Sequence, residues 1–229
     1  MFTSKYKLFL STILVFFLVF SCKKSNPPFQ FHYNYFDLSE GRYIDYRVKE
    51  IHHDTGASNP HDTLNYLLRT VIGDTIIDNE GRIARKFYRY KRNSVSENWV
   101  LSDLWMALIT NNRAELIEEN QRIIKLVFKP TLTKEWNANS FNSFSELNCY
   151  YDDLHLEGNF NGFSFDSTLR VEQDDFISLV DYRRKHETYA KGIGLVSKFY
   201  KHLTIQNFDT LNVKNGDELF YTLIGYGFE

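Results

Sequence analysis

Cysteine is nearly missing from this chain of 229 residues: it has two, Cys22 and Cys149. So small a number excludes a disulfide framework and any cluster of thiolates around zinc. Proline and glycine are also few, 4 and 11, which leaves little room for low-complexity segments. Neither sign of charge is in excess, with 27 Lys+Arg against 29 Asp+Glu, so there is no basic footprint for nucleic acid. No apolar run reaches the roughly 18–20 residues of a membrane-spanning helix. The longest, residues 8–20, rises about 20 Å as a helix, well short of the hydrocarbon core. The G-x-S-x-G nucleophile elbow, the H-E-x-x-H zinc motif and a glycine-rich phosphate loop are all lacking.

That short apolar run is nonetheless informative. Lys5 and Lys7 precede it and Ser21-Cys22 ends it, the layout of a secretory signal rather than a membrane anchor helix. The segment Val19-Phe20-Ser21-Cys22 resembles the lipobox of bacterial lipoproteins: an aliphatic residue at −3, a small one at −1, then the cysteine. Phe20 departs from the usual small residue at −2. The other readings are a signal anchor, or an ordinary cleaved signal with an incidental cysteine. The resemblance implies cleavage before Cys22 and diacyl or triacyl (palmitate-type) modification of it. Two or more chains, at about 0.8 kcal/mol per buried methylene, make a stable anchor. The expected organisation is a signal peptide over residues 1–21, a tether over 22–36 and one β-rich domain over 37–229. The first acidic residue after Cys22 is Asp37, which by the same resemblance implies an outer-membrane protein facing the periplasm.

The remainder after residue 21 carries 25 Lys+Arg and 29 Asp+Glu, a net charge of −4. With Cys22 acylated, Cys149 has no partner, and its neighbours Leu147, Tyr150 and Tyr151 suit a buried thiol. Aromatics are abundant at 17%, with 20 Phe and 15 Tyr, a mixture that favours sheet over helix. Ile44, Tyr46 and Val48 alternate with Asp45, Arg47 and Lys49, and Leu64, Tyr66, Leu68 and Thr70 repeat the pattern. Asp78-Asn79-Glu80-Gly81 and Glu118-Glu119-Asn120 read as hairpin turns, and residues 158–162 as a hinge. Residues 52–60 read as a polar loop and 131–145 as a long connection. Residues 173–188 admit a short amphipathic helix, through Phe176, Leu179, Val180 and Arg183, or an edge strand over 179–189. The expected fold is therefore all-β in the main, an antiparallel meander rolled into a strongly curved sheet, half-barrel or sandwich.

One segment, Tyr189-Ala190-Lys191-Gly192-Ile193-Gly194-Leu195-Val196, is similar to a stretch found in several groups of uncharacterised envelope lipoproteins with open, curved β-sheets. The likeness brings no assigned activity. From the residues alone, Gly192 and Gly194 are expected to bend a strand or admit another backbone.

Candidate chemistry is thin. His52-His53-Asp54 and His61-Asp62 offer possible metal ligands, but neighbours on an extended chain point to opposite faces, so a solvated loop is the simpler reading. His32, His155, His186 and His202 read as surface or capping residues. Asp74, Asp78 and Glu80, like the pairs Asp152/Asp153 and Asp174/Asp175, lack a calcium-loop spacing and read as turn acids. The basic run Arg82/Arg85/Lys86/Arg89/Lys91/Arg92 reads as the wet face of a strand. Glu115, Glu118 and Glu157 are the carboxylates a glycosidase-type pair would need, with no spacing to support one. No catalytic, cofactor or metal set is expected. Two functions remain: a lipid-anchored interaction module binding another envelope protein, and a carrier of a lipid or other apolar small molecule. The aromatics Phe87, Trp99, Trp105, Phe165 and Phe199 serve either, as core and docking face or as cavity lining.

Overall fold

A computed structural model describes residues 30–229, of which Phe31–Glu229 forms one compact unit. The signal region, Cys22 and the first part of the expected tether lie outside the described residues. A single turn of 3-10 helix, η1 (Tyr33–Tyr35), opens the fold. Six strands follow: β1 (Arg42–Asp54), β2 (His61–Ile77), β3 (Ile83–Arg92), β4 (Val100–Thr110), β5 (Arg113–Glu118) and β6 (Gln121–Val127). The second half comprises β7 (Glu135–Asn137), β8 (Asn148–Phe160), β9 (Phe163–Ile177), β10 (Asp181–Ala190), β11 (Gly194–Gln206) and β12 (Asp209–Phe228).

All twelve strands lie in one antiparallel sheet, in the order β6-β5-β4-β3-β2-β1-β12-β11-β10-β9-β8-β7. The all-β, meandering, strongly curved sheet expected from alternation is thus what forms, as a nearly closed barrel. The first and last strands pair along the whole of β1, from Arg42↔Phe228 to Asp54↔Asn215, and so meet in mid-sheet. Alternation sets the faces: in β1, Ile44, Tyr46 and Val48 are buried while Arg47 and Lys49 are exposed. Register breaks at Asp45/Tyr46, Arg89/Tyr90, Lys185/His186 and Thr188/Tyr189 add the twist that curls the sheet.

The remaining gap lies between β6 and β7. A bare edge there would leave unpaired amides and carbonyls, and the backbone just after β7 and several side chains take them up instead. Ile124 N–H donates to Ala138 O at 2.9 Å, and Trp136 Nε1 donates to Ile124 O at 3.2 Å. Asn142 Nδ2 reaches Arg122 O at 2.9 Å. Tyr151 Oη accepts from Val127 N–H at 2.9 Å and donates to Val127 O at 2.8 Å, filling both positions of a missing strand partner.

An eight-stranded barrel is just wide enough for its own side chains, and twelve strands enclose more. Large residues take up much of the extra volume: Tyr35, Tyr46, Tyr151 and Tyr189 are each at most 1% exposed. Their hydroxyls find partners, as buried tyrosines must. Tyr46 Oη, for example, donates to Leu195 O at 2.7 Å. Two apolar clusters result, one around Tyr35, Leu126, Tyr151 and Leu169, the other around Tyr46, Val48, Leu68 and Leu223.

Several expectations are corrected. Residues 173–188 hold no helix: β9 runs to Ile177, a tight turn covers 178–180 and β10 follows. Nor is β10 an edge, because it pairs with both β9 and β11. The helical spacing arose because Phe176 lies at the end of one strand, beside Ile177, while Leu179 and Val180 occupy the turn. The tether does not reach residue 36, since Tyr35 is fully buried and Phe36 is 8% exposed. Within the long connection, β7 places Trp136 against Cys149. The polar loop is shorter than 52–60, because residues 52–54 extend β1. The hinge narrows to Asn161-Gly162, both at positive φ. Gly192 serves a turn at φ 77° rather than close approach, since a Cβ there would meet open space, and its N–H donates to Asn34 O at 2.7 Å.

Tyr151→Phe isolates the seam. It keeps the ring but strands a buried N–H and C=O, and should cost about 1–3 kcal/mol in urea unfolding. A change below about 0.5 kcal/mol would show that the seam's hydrogen bonds do not support the barrel.

Candidate functional site

Between the two apolar clusters lies a cavity of about 340 Å³. Its lining is mixed: apolar side chains include Phe36, Leu38, Ile44, Ile72, Phe87, Trp105, Leu195 and Leu219. Charged ones are Asp37, Arg42, Glu50, Arg89, Lys91, Glu118, Lys125, Glu187 and Lys198, with the tyrosines Tyr46, Tyr66, Tyr189 and Tyr221 among them. The side chains reach it by the two-residue period of their strands, as Phe87, Arg89 and Lys91 do from β3.

Glu187 is the centre of the charged groups. It is 1% exposed and accepts from Lys125 Nζ at 2.8 Å and from Tyr189 Oη at 2.7 Å. Lys198 Nζ lies 3.4 Å away, and Glu118 stands 4.0 Å from Lys125. Burial alone would raise the Glu187 carboxyl, but Lys125, then Lys198, and the two hydrogen bonds outweigh it and hold the group at about 2. Burial would lower the Lys198 ammonium, yet the Glu187 charge raises it. Tyr189 is pushed well up, first by burial and then by the carboxylate it serves, so it stays a donor.

A second arm runs along β2, β3 and β12. Arg89 is 8% exposed, bonds to Asp103 at 2.8 Å and to Tyr221 Oη at 3.2 Å, and lies over the Trp105 ring at 4.0 Å. Tyr66 Oη donates to Glu50 at 2.5 Å, with Lys91 over its ring at 5.0 Å. Burial first, and then the Glu50 hydrogen bond, raise the Tyr66 phenol. Taken together these groups offer fixed donors and acceptors of both signs among apolar side chains.

The basic run is therefore not wholly a wet face: Arg89 and Lys91 line the cavity, while Lys86 pairs with Asp74 at 3.0 Å. Glu115, Glu118 and Glu157 do not converge. Glu115 is fully buried beneath Arg113, Arg82 and Arg122, Glu118 faces the cavity, and Glu157 is exposed. His53 is buried, contacting His61 Nδ1 at 2.8 Å and Glu218 at 3.0 Å, while His52 is exposed against Asp217. His186 is not a surface residue either: it stacks on Phe199 at 4.9 Å, and burial, then Arg170 and Arg184, push it down to about 4. Asp78 caps its turn, accepting from Glu80 and Arg82 N–H, and Asp152 and Asp174 pair with Arg170 and Lys185. No group of three metal-ligating side chains converges among the described residues. Cys149 is 1% exposed and burial pushes its thiol up to about 12, too high for ready reaction. Sequence reading missed Glu187, Lys198 and Lys125. Only Lys125 left a sign, as a lone charge within Ile123-Ile124-Lys125-Leu126-Val127.

Glu187→Gln removes the negative member of a buried network and leaves Lys125 and Lys198 facing a neutral amide. We expect a loss of about 3–5 kcal/mol. The pH dependence follows from the lowered carboxyl. Its stabilisation is complete above the ordinary glutamate value and disappears as pH falls through that value towards about 2. Urea midpoints at pH 5 and pH 3 should therefore fall less in the variant than in the wild type (settings approximate, about one unit either side of 4). Equal falls would remove Glu187 from the acid response.

No protein-family model matches the chain, and no curated protein is significantly similar to it.

Proposed function

We propose that this protein is a lipid-anchored envelope protein that holds a small amphipathic molecule inside its barrel. The observation that carries the reading is the mixed lining of the cavity, where apolar side chains such as Phe36, Phe87 and Trp105 stand with the charged Glu187, Lys198, Lys91 and Glu50. Its volume of about 340 Å³ falls in the range of ligand pockets. The carrier expected from sequence needed an apolar cavity. The charged lining changes the cargo: an apolar body with a polar or charged end meets both kinds of lining, whereas a plain hydrocarbon would desolvate the paired charges without offering them a hydrogen bond.

The anchor rests on the lipobox-like Val19-Phe20-Ser21-Cys22. Charged outward residues of β1, Arg47 and Lys49, support a barrel in water rather than one facing lipid. The interaction-module reading keeps one observation of its own. At the turns 178–180 and 207–208, Leu179, Val180 and Phe208 are more than half exposed, and Phe208 N–H donates to Leu179 O at 3.3 Å. Two adjacent apolar tips suit a partner's surface and do not compete with the cavity.

Native mass spectrometry of the full protein, extracted gently from membranes, tests the cargo. A stoichiometric amphipathic molecule that is lost in Trp105→Ala supports the proposal, and a ligand-free mass that no lipid extract changes overturns it. The anchor is tested apart. Cys22→Ser should leave the protein unlipidated and either soluble or uncut, and unchanged lipid labelling in that variant would remove Cys22 as the attachment site.

A further inference from the structure

At the end of the barrel where β1 begins, two histidines sit side by side without belonging to the cavity. His32 precedes η1 at φ 63°, and His155 sits at φ 57° in β8, where the register with β9 slips between Leu154 and Leu156. These left-handed positions turn both side chains out of the regular pattern. The rings lie 4.5 Å apart. Tyr35 fixes one of them: its hydroxyl is 2.7 Å from His155 Nδ1 and 2.6 Å from Ser167 Oγ. His155 is exposed, so its remaining nitrogen, Nε2, is left for a ligand. His32 Nδ1 is buried and has no hydrogen-bond partner.

Two lysines flank the pair. Lys191 is exposed in the turn between β10 and β11, held by its N–H to Ser167 O at 3.0 Å, and forms no ion pair among the described residues. Lys129 follows Phe128, whose ring packs on Tyr33 at 4.8 Å. Burial first, and then the neighbouring positive groups, lower both imidazoles. The groups facing the two rings are thus Lys191 from the β10–β11 turn, Lys129 from the end of β6, Tyr35 from η1 and Ser167 from β9. Neutral donors and positive charge meet at one exposed point, an arrangement that receives an anion.

We propose that His32, His155 and Lys191 bind the phosphate of an anionic lipid headgroup. The lipid source, as opposed to free phosphate, rests on the anchor reading of Cys22. The nine residues from Cys22 to Phe31 reach at most about 30 Å, so an acylated Cys22 keeps this end of the barrel near the bilayer. Exposed Phe31 and Leu132 lie in the segments that carry His32 and Lys129, giving the apolar-beside-basic surface of a membrane contact.

An anion favours the protonated rings, so binding takes up protons and strengthens as pH falls through the range below the ordinary imidazole value. The test uses residues 22–229 with Cys22→Ser, free of both lipid and the apolar run, and phosphatidylcholine vesicles with or without phosphatidylglycerol, at about pH 5.5 and about pH 7.5. We expect sedimentation with the anionic vesicles alone, tighter at the lower pH. Lys191→Gln, an exposed change in a turn, should weaken it about fivefold, and His155→Gln should flatten the pH dependence. Equal binding to both vesicles, or no effect of Lys191→Gln, overturns the site. Imidazole NMR shifts with inorganic phosphate but no preference for anionic vesicles would make it a free-phosphate site and overturn the lipid assignment. Lipid on wild-type Cys22 is read separately from its mass, so failure of the anchor is not mistaken for failure of the site.

Discussion

A carboxylate withdrawn from water stays ionised only if cations are brought to it, and here they arrive from different parts of the wall. Glu187 stands on β10, Lys198 on neighbouring β11, and Lys125 on β6, at the far side of the open seam. The Lys125–Glu187 contact at 2.8 Å therefore ties together two strands that share no backbone pairing. Burial of either partner without the other is costly, so strand β6 is held to the position where its lysine meets the acid. Such a contact specifies register and closure more than it adds stability, since an apolar pair of equal volume would pack as well.

The seam and the interior answer the same geometrical demand. Twelve strands enclose more space than aliphatic side chains fill, and an incomplete pairing leaves polar backbone inside. Tyrosine meets both needs, with an apolar body for volume and a hydroxyl for a stray polar group. Tyr151 closes the seam, Tyr46 satisfies Leu195 O, and Tyr189 supports Glu187. This accounts for the many aromatics without a separate docking face for each. Phe87 and Trp105 line the cavity, whereas Trp99 lies under the guanidinium groups of Arg69 and Arg92.

Alternation and turn chemistry made much of the fold legible. Ile44, Tyr46 and Val48 marked the inner face of β1, and Asp78 to Gly81 marked a turn whose acid caps its own amides. The region around Leu179 misled because an apolar hairpin tip imitates helical spacing when strand ends flank it. The cavity was illegible for a different reason. Arg89 and Arg85 look alike in sequence and share a parity on β3, yet Arg89 lines the cavity while Arg85 pairs with Glu40, a difference set by strands distant in the chain. Glu187 gave no local sign, because its partners lie 62 residues before it and eleven after it.

The pairing of β1 with β12 also governs the order in which the molecule can assemble. Strand β1 has its second neighbour in residues 209–228, far along the chain, so a growing chain exposes that edge until β12 has emerged. Strands β2 to β6 can add to β1 in turn as they emerge, but the result is a half-sheet with one bare margin and an unfilled concave face. The arrival of β12 joins the two halves by strand pairing in mid-sheet, a contact of very high sequence separation and of the kind that slows folding. A chain cut short by even its final strand would keep most of its local hairpins yet present an open edge to its neighbours, which is the route by which sheet proteins aggregate.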